Sequence, residues 1–244
     1  MKKIITIISI ILIITIFSTT NLFALSDYQE ITYDGVKYTI EINGNLFQKQ
    51  VRVTGENETN ICTDSVFSDK LKVENINANG ENEVVEIDRI NLNEEVQYSE
   101  NVQNEATKSY YKKYASRSLT YNGKKYSYAY YKHTTLSSSS SKKYKVIIYA
   151  KGKKKTRYYK KIPTIVHKTE DKIDEMDRLT LKIQGETGGA TAALVAAIWS
   201  GPETFGIGTV ISIVVASGFG LKVAFDLYDQ YQASKKAYTY FVEI

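Results

Sequence analysis

The side chains best suited to catalysis are scarce in this chain. There are two histidines, His133 and His167, and one cysteine, Cys62. Neither histidine sits in a metal-ligating spacing such as His-Glu-x-x-His. Cys62 has no basic neighbour in sequence, lies in an acidic stretch, and alone closes no internal disulfide. No Gly-x-Ser-x-Gly turn or phosphate-binding glycine loop occurs; Gly206 and Gly208 follow no strand pattern and lack the third glycine. Carboxylate pairs such as Asp174 and Glu175 read as a solvated helix face. The expectation is a protein that is not an enzyme and carries no catalytic residue, metal or cofactor.

The chemistry on offer is charge. The net +5 hides a segregation. From Asp27 to Thr107 there are 17 acidic and 6 basic residues. From Lys108 to Lys168 there are 18 basic residues and no acidic one, and from Thr169 to Ile244 there are 10 acidic and 6 basic. A run of +18 repels itself unless it meets a negative partner. The candidate anionic-surface residues are Lys124, Lys125, Lys142, Lys143, Lys145, Lys151, Lys153, Lys154, Lys155, Arg157, Lys160 and Lys161. Between Tyr110 and Lys160 there are also 12 tyrosines. Tyr suits half-wet interfaces and is equally a favoured strand residue. The expected partner is an anionic bacterial membrane or wall polymer rather than nucleic acid.

Strands must position these groups. Ile31-Thr32-Tyr33-Asp34-Gly35-Val36-Lys37-Tyr38-Thr39-Ile40 echoes Leu119-Thr120-Tyr121-Asn122-Gly123-Lys124-Lys125-Tyr126-Ser127-Tyr128. Asp-Gly and Asn-Gly are strong signals for two-residue hairpins. Beyond the turns the residues alternate: Val36, Tyr38, Ile40 and Ile42 share one face, as do Tyr126, Tyr128 and Tyr130. Further strand-like runs are Val51–Val53, Tyr144–Tyr149 and Thr156–Tyr159, with a turn at Gly152.

Helices follow. Thr169 to Ile183 has amphipathic spacing. From Thr187 to Leu221 Glu203 is the only charge. A break at Gly201-Pro202 makes this stretch a helical hairpin, either a membrane-inserting tip or a buried helix pair. The candidate insertion residues are Trp199, Phe205, Ile207, Val210, Ile211, Ile213, Val214 and Phe219. Ala237 to Val242 reads as a closing strand. Lys2 and Lys3 followed by an uncharged run to Leu25 form a secretory signal peptide.

The expected fold class is α+β: antiparallel β units, acidic then basic, followed by an apolar helical hairpin and a final strand. The segments are 1–25 (signal), 26–107 (acidic, a pro-region if cut near 104–117), 108–168 (basic) and 169–244 (helical). The layout resembles that of secreted bacteriocins of Gram-positive bacteria, the geobacillin-type large bacteriocins among them. The features that carry this are the signal peptide, the Lys/Tyr-rich segment Ser118 to Ile162, and the stretch from Gly188-Gly189-Ala190-Thr191-Ala192-Ala193 to Gly218-Phe219-Gly220. The resemblance implies a secreted antibacterial protein acting on membranes, with self-association and a dedicated immunity protein as further partners. The alternative is a non-lytic protein that binds cell surface or wall polymer.

Overall fold

The computed structural model describes residues 25–45, 47–88, 110–121, 123–187, 195, 198, 199 and 205–244. The signal segment before Leu25, the linker at Asn91–Glu105 and the Gly201-Pro202 break lie outside the described residues, as does most of Gly188–Ser200. The chain is mixed α+β, with two antiparallel sheets and a helical C-terminal part. It divides into two compact units, one built on each sheet.

The first unit is a six-stranded meander: β1 (Leu25–Tyr33), β2 (Val36–Gly44), β3 (Gln48–Thr54), β4 (Glu58–Ser65), β5 (Lys70–Asn77) and β6 (Asn82–Asp88). Tyr33 pairs with Val36 across the Asp34-Gly35 turn, and both turn residues have positive φ, 50° and 79°. This is the backbone that Asp-Gly favours. Ile42, Val51, Cys62 and Val73 lie directly opposite one another across four strands. With Tyr38, Ile40, Val53 and Leu71 they make one face, buried except for the half-buried Ile42.

Helix α2 (Ile207–Ala216) packs on β3, β4 and β5 of this unit, and all ten of its residues are buried. A helix with no charged residue and apolar side chains around most of its circumference belongs in a core. Its close seat on β4 depends on glycine. A Cβ on Gly208 would lie 2.4 Å from Asn60 Nδ2. Thr209 donates its hydroxyl proton to Asn60 Oδ1 at 2.8 Å, the polar contact that fixes its first turn. The sheet also answers the helix dipole. The Glu58 carboxylate lies against the N-cap Gly206, and Lys49 Nζ donates to the Val215 carbonyl in the last turn. Gly218, at φ 90°, ends the helix, and Phe219 N–H donates to Val214 O at 3.1 Å; this is a Schellman closure.

The second unit holds β7 (Tyr111–Tyr121), β8 (Lys124–His133), β9 (Tyr144–Ala150) and β10 (Lys153–Tyr159) in antiparallel order, with α1 (Thr164–Thr187) and α3 (Leu221–Glu243), which joins this unit from Lys222 on. Tyr121 pairs with Lys124 and Ala150 with Lys153, so both expected turns close two-residue hairpins. Residues 111–117 of the expected cleavage interval form strand β7.

Two expectations are corrected. The closing strand Ala237–Val242 is the last part of α3. Its Tyr-Thr-Tyr-Phe-Val run has strand propensity, but Leu227, Tyr231, Ser234, Ala237 and Phe241 recur at helical spacing and are all buried. Packing of that stripe overrides propensity. The apolar stretch also does not form one hairpin within one unit. Its second arm, α2, is core of the first unit, whereas Val195, Ile198 and Trp199 belong to the second.

Candidate functional site

The four-stranded sheet carries the charge, and its two faces differ in kind. One face presents Leu119, Tyr126, Tyr128, Tyr130, Val146, Ile148 and Ala150, all buried. Tyr126 meets Trp199 edge-on at 5.5 Å, and Trp199 meets Tyr231 of α3 at 6.4 Å.

Helix α1 docks on this face through its carboxylates. Arg117 pairs with Asp174 at 2.7 Å and also with Asp177. The Tyr128 hydroxyl donates to Asp174 at 3.0 Å and that of Tyr130 to Glu170 at 2.9 Å. His167 Nδ1 lies 2.9 Å from the same Glu170 oxygen. Burial raises the Asp174 carboxyl above its ordinary value, against the opposing pull of the Tyr128 hydroxyl and Arg117. Burial likewise pushes the Tyr128 phenol from 10.0 up to about 12 and raises Tyr126 and Tyr130. The acidic stripe read as a solvated helix face is therefore, at Glu170, Asp174 and Asp177, a docking surface for tyrosine and arginine. Glu175 instead pairs with Lys172 on its own helix.

The edge strand β10 turns part of the basic run toward α3. Lys153 donates to the Tyr238 hydroxyl at 2.9 Å, and Lys155 to the Phe241 and Val242 carbonyls at 2.8 Å. Arg157 reaches the Ile244 carbonyl at 3.3 Å, and Lys151 lies 4.8 Å from the Tyr238 ring. Cations at a helix C-terminus are favourable there. These four of the candidate residues thus serve the fold.

The opposite face is open and different. Cross-strand pairing sets Lys113, Tyr131, Lys145 and Tyr158 in one row, and Tyr149 and Lys154 in another beside Lys125. Lys125 and Lys154 lie 4.6 and 5.7 Å from the Tyr149 ring centre, and Lys145 lies 5.6 Å from that of Tyr131. Such pairs stabilise by roughly 0.5–1 kcal/mol at exposed sites and hold the ammonium groups over a flat aromatic floor. Among the described residues no carboxylate pairs with Lys113, Lys125, Lys145 or Lys154. The field of this face is left without internal compensation.

The remaining candidates sit at its margins. Lys124 is exposed in the β7–β8 hairpin, and Lys142 in the loop before β9. Lys143 of that loop donates to the Leu136 carbonyl. Lys160 and Lys161 are exposed just beyond β10. Sequence reading misses Lys113 because alternation breaks at the β7 bulge between Lys113 and Ala115. The extra residue, Tyr114, places Lys113 and Ser116 on one face at a spacing of three.

The candidate insertion residues Trp199, Phe205, Ile207, Val210, Ile211, Ile213 and Val214 are all buried, and Phe219 is half-buried. Among the described residues no helix is long and apolar enough to cross a membrane. Nor does any group of three or more His, Cys, Asp and Glu there stand placed to hold a metal ion. No family model, curated protein or solved structure matches the chain.

Proposed function

We propose that the protein is an exported, bacteriocin-like antibacterial protein whose first step is docking of the open Lys/Tyr face of β7–β10 on an anionic bacterial membrane. One observation carries this reading. Lys113, Lys125, Lys145 and Lys154 share one face with Tyr131, Tyr149 and Tyr158, while Glu170, Asp174 and Asp177 of α1 are used on the other face. A flat cationic surface with amphipathic rings fits a headgroup layer, since lysine supplies long-range attraction and tyrosine suits the wet–apolar boundary. The uncharged segment behind Lys2 and Lys3 fits delivery by export.

The test is sedimentation with vesicles of phosphatidylglycerol and phosphatidylcholine, alongside growth inhibition of Gram-positive indicator strains. Binding is expected on anionic vesicles, to weaken as salt screens it, and to fall at least tenfold when the four lysines are replaced by glutamine. Equal retention on both vesicle types, or retention indifferent to Lys→Gln, overturns the reading.

A second reading is non-lytic binding of an anionic wall polymer. The burial of every residue of α2 favours it, because insertion by that helix requires the first unit to open. Salt-sensitive retention on isolated walls, with no dye release from vesicles and no loss of viability, would select it.

A further inference from the structure

The first unit carries an apolar element that neither reading uses. Phe47 lies in the β2–β3 connection, and Val66 and Phe67 in the β4–β5 connection. They are 48%, 60% and 80% exposed. The two phenyl rings stack with centroids 5.5 Å apart. Val66 N–H donates to the Phe47 carbonyl at 2.9 Å, so two hairpin tips are joined into one knob.

The backbone of this knob is closed on itself. Asn45 N–H donates to Gln48 O, and the amides of Phe47 and Gln48 both donate to Asn45 Oδ1. The amides of Phe67 and Ser68 donate to Ser65, and that of Lys70 to Ser68 Oγ. The β2–β3 tip is also tight: a Cβ on Gly44 would lie 2.7 Å from the Gln48 carbonyl. An amide entering an apolar medium without a partner is costly. This knob offers bare apolar side chains at Phe47, Val66 and Phe67, whose own amides are already bonded.

We propose that Phe47, Val66 and Phe67 form a membrane-contacting knob that enters the interfacial layer of a lipid bilayer. A protein pocket would suit a single projecting side chain. An exposed stacked ring pair with an adjoining Val, the amides of all three bonded, suits a broad apolar layer instead. Asp69 and Lys70 follow immediately, and Lys70 is held by Glu86 at 3.2 Å, so charge resumes at the base of the knob. The knob assigns the apolar contact to side chains that are exposed in the folded protein, in place of the buried α2. It rests on the membrane reading for its partner but on none of the residues of the basic face.

The experiment uses full-length protein with Phe67→Trp and vesicles carrying acyl-chain-brominated lipid. The introduced indole is expected to shift to shorter emission wavelength and to be quenched, while the buried Trp199 of the unsubstituted protein is not. Phe47→Ser with Phe67→Ser should lower the salt-resistant part of binding by about tenfold or more per ring, from the burial each phenyl gives up. Both substitutions lie at exposed positions, and an unchanged denaturation midpoint verifies the fold. If the Phe67→Trp protein binds anionic vesicles with its new indole unquenched, the knob proposal fails while docking of the basic face stands. If that indole is quenched but Lys→Gln changes nothing, the basic-face reading fails and the knob stands. Absence of binding to any vesicle, or binding of the knob only to an envelope protein, overturns the proposal.

Discussion

Two sheets in this chain begin with nearly the same hairpin, yet each is closed by a different kind of helix. The echo around Asp34-Gly35 leads to Tyr38 and Ile40, and that around Asn122-Gly123 to Tyr126, Tyr128 and Tyr130. In the first unit aliphatic rows meet an uncharged, mostly aliphatic α2, with Lys49, Glu58 and Asn60 of the sheet meeting its polar groups. In the second unit tyrosines and Arg117 meet a charged α1, whose Glu170, Asp174 and Asp177 do the matching. The hairpin sets the pairing; the side chains on its buried face choose the helix. The same choice leaves the second sheet with an uncompensated basic face, because its acidic partner covers one side only.

The chain supplies a separate reporter for each side of this comparison. Its single cysteine, Cys62, lies in the first sheet, and its single tryptophan, Trp199, packs on Tyr126 in the second unit. Burial pushes the Cys62 thiol from 9.0 up to about 12, so it should stay inert to thiol reagents until its unit opens. The largest effect is expected from Ile211→Ala. Ile211 is fully buried in α2, and the lost methylenes with the cavity left behind cost about 2–5 kcal/mol. Cys62 labelling should begin at lower denaturant, with the Trp199 transition moving less. Equal movement of both reporters would mean that the units unfold together and that the contrast has no energetic separation.

Alkaline pH should act in the opposite sense. Tyr126, Tyr128 and Tyr130 are all raised by burial, Tyr128 to about 12. In the unfolded chain they lose protons near the ordinary value of 10.0, while the folded state still holds them. Stability from these groups is therefore complete below pH 10 and is lost as pH rises toward 12. The slope is at most ~1.4 kcal/mol per pH unit for each group. The first unit has Cys62 with the same sign, so the second, with three tyrosines, should lose stability more steeply. Denaturation followed through Trp199 and through tyrosinate absorbance across that range tests this. A steeper loss in the Cys62 signal would break the assignment of the buried tyrosines.

The hairpins and the alternating faces were legible because turn chemistry and a period of two are local. So was the charge segregation. What was not legible depends on partners distant in sequence. Asp174 looks solvated until Arg117 and Tyr128 are brought to it, and Lys113 falls out of phase until the bulge at Tyr114 is known. The Ala237–Val242 segment reads as a strand until Ala237 and Phe241 are seen on the buried stripe of α3. Strands β4 and β5 have weak alternation at Asn60 and Asn75 because the covered face there carries polar groups that meet Thr209 of α2.

Gly208→Ala probes that polar seam directly. The new Cβ would meet Asn60 Nδ2 at 2.4 Å and Glu58 Oε1 at 2.9 Å, so the buried Asn60 side chain must break its bond to Thr209 or α2 must shift on β4. Overpacking of this kind costs about 1–3 kcal/mol. It outweighs the gain in helix propensity, up to about 1 kcal/mol, that replacing glycine normally brings. The expected result is earlier Cys62 labelling despite a better helix former. Stabilisation instead would show that the close seat of the helix on β4 is not needed.

The smallest effects should come from the cations that cap the two C-terminal helix ends. Lys49 reaches the last turn of α2, and burial holds its ammonium below the ordinary value. Lys155 reaches the end of α3 together with Arg157, on a more exposed edge strand. Lys49→Met and Lys155→Met each keep most of the stem and drop the charge. A cation at a helix C-terminus stabilises by about 0.3–1 kcal/mol when exposed and up to ~2 kcal/mol in partly buried geometry. Lys49→Met should therefore cost about 1 kcal/mol, and Lys155→Met less, since Arg157 still supplies charge there. Cys62 labelling reads the first variant and Trp199 fluorescence the second. A larger loss at Lys155 would mean that the basic edge of the second sheet is committed to holding α3, and would confine the surface-binding role to the lysines of the open face.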